Sequence, residues 1–223
     1  MRLRSGWLIG SAAAALGVYL LMWVGYVQGW VWLAGIDADV LNPANRFGDG
    51  RPRWVTAWDV LCTLLGPGAF RLAVLVVIVV ALVRRRFRLA VFLTITVELS
   101  AVVTETAKYV VDRPRPDTAM VSALSTSFPS GHALGVMVSV AALLTVVLPV
   151  VRPALRGWLV ALGIAVILVV GIGRVVLNVH HPSDVIAGWA LGYAYFVACL
   201  LLVWPSVPVI ERAEKPAVLD NAR

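Results

Sequence analysis

Apolar runs about as long as a bilayer is thick alternate with short polar stretches along almost the whole chain. Six can be drawn: Trp7 to Val27, Gly68 to Val83, Leu89 to Ala107, Gly131 to Val151, Trp158 to Val176, and Val185 to Trp204. A hydrocarbon core takes about 20 mostly apolar residues to cross as a helix. Each run therefore predicts a transmembrane helix, and the short second run can begin a few residues earlier. The fold class expected is all-α, an integral membrane bundle of six transmembrane helices. It forms one domain over residues 1–210, and residues 211–223 form a short polar tail. Between the first two runs, residues 28–67 mix Asp37, Asp39, Asn42, Pro43, Asn45 and Gly48 with Leu33, Val40, Leu41, Trp54, Trp58 and Leu61. That mixture predicts a loop with one or two amphipathic helices lying in the interface. Trp30, Trp32, Trp54 and Trp58 would anchor it at headgroup level, either setting depth alone or guiding lipid to a site.

Composition removes the soluble alternative. The chain is 61% apolar and 14% charged, against about 45–50% and 25% for soluble domains. The net charge of +7 is concentrated in arginine clusters between apolar runs, not on one amphipathic face, so nucleic acid is not the expected partner. Arg84-Arg85-Arg86-Phe87-Arg88, Arg152 with Arg156, Arg2 with Arg4, and Arg212 with Lys215 fall on one side if six spans are counted. The positive-inside rule assigns that side, with both termini, to the cytoplasm of a cell membrane. Basic Arg46, Arg51 and Arg53 lie on the other side, so the clusters decide the orientation. The run after Met1-Arg2-Leu3-Arg4 is longer than a signal-peptide core and reads as a retained anchor. Cys62 and Cys199 lie far apart and suggest no disulfide framework.

With this topology three polar stretches share the extracytoplasmic face, and each carries groups suited to phosphate. The first is Lys108 with Arg113-Pro114-Arg115-Pro116. A lone basic residue at a span end is ordinarily a snorkelling anchor, but here several cluster where the orientation rule disfavours them. Proline fixes the backbone between the arginines, and guanidinium grips phosphate in a fork. The second is Pro129-Ser130-Gly131-His132. Ser130 is placed to cap a helix, the free N–H groups behind it form an anion site, and Gly131 admits a close approach. The third runs from Arg174 to His180, His181 and Asp184. A carboxylate four residues after a histidine can orient its ring as a base or nucleophile. His132, His180, His181 and Asp184 are also a possible metal set, although several cations in one pocket disfavour a metal there. Glu98 and Glu105 lie seven residues apart on one helical face, and Glu105 is spaced to pair with Lys108.

These stretches resemble the three-part signature of the type 2 phosphatidic acid phosphatase superfamily. The spacing Lys, six residues, Arg-Pro matches Lys108, Arg115 and Pro116; Pro-Ser-Gly-His matches Pro129 to His132; and Arg, five residues, His, three residues, Asp matches Arg174, His180 and Asp184. Spacing thus selects Arg115 over Arg113 and His180 over His181, and Gly173 stands where the family usually has Ser. The resemblance implies a metal-independent, cofactor-free lipid phosphatase. His180 would be its nucleophile, Asp184 the orienting carboxylate and His132 the general acid and base. Lys108, Arg115, Ser130, Gly131 and Arg174 would bind the phosphoryl group. The expected substrate is a polyprenyl diphosphate of the undecaprenyl or decaprenyl type, converted to the monophosphate. The alternatives are a phosphatidate or phosphatidylglycerophosphate phosphatase, and a non-catalytic lipid-binding protein on the same scaffold.

Overall fold

The computed structural model describes residues 2–203, with side chains from Gly6 onward, and every regular element among the described residues is helical. The tail expected over 211–223 lies outside them. The elements are α1 (Arg2–Val27), α2 (Val31–Gly48), α3 (Pro52–Leu64), α4 (Pro67–Val83), α5 (Phe87–Leu93), a π-helical turn (Thr94–Glu98), α6 (Ser100–Val111), α7 (Gly131–Val147), α8 (Pro153–Val176) and α9 (Pro182–Leu202). Proline stands at the first position of α3, α4, α8 and α9, where its missing N–H costs nothing and its fixed φ starts the helix.

Among the described residues five helical stretches are long and apolar enough to cross a membrane: Gly6–Val27, Pro52–Val83, Phe87–Val111, Pro153–Val176 and Pro182–Leu202. Helix α7, at 17 residues, is apolar but shorter. The chain is a multi-pass membrane protein. The second stretch is longer than the sequence run suggested, because α3 continues into α4 through a bend at Leu65-Gly66. Residues 28–67 hold two helices, α2 and α3, joined by a short turn. The polarity of the exterior agrees with a lipid surround: Leu72, Val76, Leu162 and Leu202 are each at least 60% exposed. Lys108, Arg113, Arg174 and Asp184 are buried instead, and polar groups inside a bilayer are tolerated only where protein partners satisfy them.

Helix α9 is central and packs along α1 and α7. Gly188 and Gly192, one turn apart, permit the contact with α7: a Cβ would stand 2.7 Å from Ser130 O and 2.9 Å from Leu134 O respectively. Small residues of this kind let membrane helices approach closely. The approach brings the start of α7 beside the start of α9, where Ser130 N donates to Asp184 O at 3.0 Å. Phe92, Leu93 and Val97 pack with Leu134, Val138 and Val197 in the largest apolar cluster, beneath that junction.

Candidate active site

Two chain reversals, the loop between α6 and α7 and the turn between α8 and α9, deliver the polar side chains to one pocket. Helix α6 stops at Asp112, which takes a left-handed conformation with φ 47°, and the loop 112–130 follows without regular structure. Helix α7 begins after Ser130, whose Oγ accepts from Ala133 N at 3.4 Å, a long cap bond. Helix α8 ends at Val176, and Asn178 with φ 51° turns the chain toward His180. Asparagine is among the few side chains that take this conformation readily.

His180 is 1% exposed. Its Nε2 lies 3.2 Å from Arg115 Nη1, and since guanidinium only donates, Nε2 is the accepting nitrogen. The neutral ring therefore carries its proton on Nδ1, the side that faces Asp184. Asp184 Oδ2 is 3.7 Å away, longer than a hydrogen bond, and Nδ1 has no hydrogen-bond partner among the described residues. Burial lowers the His180 pKa to about 4, and Arg115 and Arg174 push the same way against the Asp184 carboxylate. Near neutral pH the ring is uncharged, the protonation state a nucleophile requires, and its Nε2 lone pair accepts from Arg115 Nη1, which must turn to an incoming phosphoryl oxygen before Nε2 can attack.

Asp184 is fully buried and saturated with donors. Arg113 Nη1 reaches Oδ1 at 2.7 Å, while Oδ2 accepts from His181 N at 2.8 Å and Ser127 Oγ and lies 3.2 Å from His181 Nδ1. The backbone contact makes His181 the cap of α9, so the two adjacent histidines differ in position and in work. Lys108 is 6% exposed, and its Nζ donates to Ser125 Oγ at 2.6 Å. Its pairing with Glu105 is loose, 3.8 Å to a side chain 64% exposed, and half-buried Glu98 has an Oε1 without a partner among the described residues. Arg115 is held by the Ser125 and Val179 carbonyls, each at 2.7 Å. Arg174 is 6% exposed, and its Nε has no partner among the described residues. Gly131 leaves little room for a side chain in this ring, since a Cβ there would lie 3.1 Å from Thr104 Cγ2 and 3.9 Å from Lys108 Nζ. His132 is half-buried and feels the charges of Arg174, His180, Lys108 and Arg115. Among the described residues no three His, Cys, Asp or Glu side chains are grouped to hold a metal.

The structure thus brings together all eight residues singled out in the sequence. It adds Asp37, Arg113, Ser125, Ser127 and Ser183, which sequence spacing passed over. Arg113 carried one signal, a second Arg-Pro dipeptide; Asp37 carried only its charge within an apolar stretch. Lys108, Arg113, Arg115 and Arg174 face two buried carboxylates, Asp37 and Asp184, which Arg113 bridges, while Glu105 beside Lys108 and Asp59 toward Arg174 are not buried.

The family model of the PAP2 superfamily matches residues 88–208, which hold all three motifs. The chain belongs to the PAP2 superfamily. It is 35% identical over 116 residues to an undecaprenyl-diphosphatase of Sulfolobus acidocaldarius, covering 49% of this chain and 52% of that one. It is 38% identical over 90 residues to phosphatidylglycerophosphatase B of Bacillus subtilis, covering 39% and 44%. The chain thus spans about half the length of the curated relatives it matches. The crystal structure of a transmembrane PAP2-type phosphatidylglycerolphosphate phosphatase from Bacillus subtilis superposes with a TM-score of 0.71 at 21% identity, over 86% of this chain and 95% of that one. At that identity the likeness is one of fold. Within the PAP2 pattern, Gly173 has a local cause: a Cβ there would stand 2.5 Å from Cys62 Sγ and 2.9 Å from Trp58 Cε3, so α3 occupies the place of the usual serine side chain.

Proposed function

We propose that this PAP2 protein is a metal-independent membrane lipid phosphatase that converts a polyprenyl diphosphate to the monophosphate. A single observation carries the reading: buried His180 stands with Nδ1 3.7 Å from Asp184 Oδ2 and Nε2 3.2 Å from Arg115 Nη1, beside the cations that can hold a phosphoryl group. A lipid-binding protein needs the cations but not a histidine backed by a buried carboxylate. His180 Nε2 attacks the distal phosphorus, the bond to the bridging oxygen breaks, and His132, charged as imidazolium against the phosphate anions of the bound substrate, gives its proton to the departing polyprenyl phosphate and is left neutral for the second step. Water, deprotonated by His132, then attacks the phosphohistidine, the P–N bond breaks, and inorganic phosphate leaves. Lys108, Arg115, Arg174 and the N–H groups behind Ser130 and Gly131 stabilise the equatorial oxygens in both steps.

The six-span count, with α2 at the interface and both termini in the cytoplasm, belongs to the same proposal. It puts the site on the outer face of a cell membrane, where lipid diphosphates of envelope synthesis would be met. An apolar groove of about 290 Å³ beside the His180 turn, lined by Val40, Ile172, Val176, Val185 and Trp189, supports a lipid tail over a soluble ester. The undecaprenyl-diphosphatase relative favours the diphosphate, while phosphatidylglycerophosphatase B keeps a glycerophospholipid phosphatase as the second reading. Purified full-length protein should release phosphate from polyprenyl diphosphate with kcat/KM above that for phosphatidate or phosphatidylglycerophosphate, with or without a chelator. No release from the first substrate would remove the leading assignment, and loss of release with chelator would remove metal independence.

A further inference from the structure

Helix α2 lies outside the three motifs, yet it grips the turn that carries His180 in two places. Leu41 O accepts from Asn178 Nδ2 at 3.2 Å. Asp37, 3% exposed, accepts from Ser183 N at 3.0 Å, Ser183 Oγ at 2.7 Å and Arg113 Nη2 at 2.9 Å. The other nitrogen of the same guanidinium, Arg113 Nη1, donates to Ser183 Oγ and to Asp184 Oδ1, both at 2.7 Å. One buried arginine is therefore shared between the carboxylate that backs His180 and a carboxylate on α2.

As a fastener this arrangement is a poor choice. Buried ion pairs hold structure no better than well-packed apolar residues of the same volume. It does have an electrostatic consequence. Arg113 bound to Asp184 alone would neutralise the carboxylate, whereas the Asp37 charge on its other side leaves Asp184 net negative toward the His180 ring. We propose that Asp37 is a positioning residue: by sharing Arg113 with Asp184 and holding Ser183, it fixes the carboxylate behind His180 and keeps it negative toward the ring. Helix α2 is then a working part of the site. The proposal rests on the phosphohistidine reading for its kinetic consequence but not for its electrostatic one.

The charged and titratable groups about His180 are Asp184 and His181 at the start of α9, Arg174 of α8, Arg113 and Arg115 of the loop, His132 of α7, Lys108 of α6, and Asp37 of α2. Removing the Asp37 charge by Asp37→Asn leaves Arg113 less compensated and disfavours imidazolium. Removing the Arg113 charge by Arg113→Gln does the reverse. The test uses full-length protein in detergent micelles with ¹³C-labelled histidine, His180 being assigned by His→Asn variants, together with phosphate release from polyprenyl diphosphate. The His180 titration midpoint should fall in Asp37→Asn and rise in Arg113→Gln, opposite shifts that a purely structural role would not produce. In Asp37→Asn, kcat should drop about tenfold or more with KM within about twofold, and in an Arg113→Gln background the same change should add less than about twofold. Should Asp37→Asn or Arg113→Gln fail to accumulate, Ser183→Ala keeps every charge, removes the bridging hydroxyl, and should lower kcat about threefold or more. Unmoved midpoints with wild-type kcat in Asp37→Asn, full additivity with Arg113→Gln, or wild-type kcat in Ser183→Ala would each overturn the proposal. Failure of the functional reading would look different, with no phosphate release from the unaltered protein while the midpoints still shift.

Discussion

Replacing Gly173 by the serine usual in its family should harm this protein. The added Cβ would lie 2.5 Å from Cys62 Sγ and 2.9 Å from Trp58 Cε3, and Cys62 is fully buried against Leu177 and Val179. Neither neighbour is a loose chain end that can swing away. Overpacking of this kind costs about 1–3 kcal/mol, which for a chain of this size corresponds to a Tm lower by roughly 2 to 12 °C. Because the strain falls beside Arg174, KM for the lipid diphosphate should rise as well. Cys62→Ala withdraws the closest atom. Measured against Cys62→Ala alone, Gly173→Ser should then cost less than about half as much, the coupling expected of side chains in contact. Thermal unfolding of the four proteins in one detergent, with phosphate release beside it, provides the cycle. A Gly173→Ser protein that melts with the parent, or a cost that Cys62→Ala does not relieve, would refute the packing argument.

Two further outcomes follow from the pocket. Because His180 must be neutral to attack and burial lowers its pKa to about 4, protonation should remove activity only as pH falls through that value. The acid limb of kcat/KM, which reports the free enzyme, should lie near pH 4; a limb near 6.5 would show an ordinary, solvated histidine. Gly131→Ala adds a methyl 3.1 Å from Thr104 Cγ2 on the wall facing Lys108, so kcat/KM should fall about tenfold while Tm stays within a few degrees. A large Tm loss with kcat/KM preserved in the folded fraction would make Gly131 a packing residue and not part of the phosphate pocket.

Much of the site is legible in the sequence because its chemistry is local. Spacing separates His180 from His181, and the structure gives these neighbours different surroundings, one in the pocket and one capping α9. Asp37 is different: its partners Arg113 and Ser183 are 76 and 146 residues away, a separation that no local periodicity encodes. The apolar runs predict membrane helices from hydrophobicity alone, but runs do not reveal where a helix bends. The second run is drawn from Gly68, whereas α3 leads through the bend at Leu65-Gly66 into α4 and carries Cys62 and Trp58 against Gly173. Arg113 shows the limit of motif spacing: it is set aside there in favour of Arg115, yet it is the more deeply buried and holds Asp184 directly.

Trapping a covalent intermediate decides whether His180 is the nucleophile. Full-length protein should be mixed briefly with polyprenyl diphosphate carrying ³²P in its distal phosphate, quenched in alkali, and digested to locate the label. The account predicts acid-labile, alkali-stable phosphate on His180 that His180→Asn abolishes. Steady release of labelled phosphate with no label on His180, or undiminished turnover by His180→Asn, would contradict it.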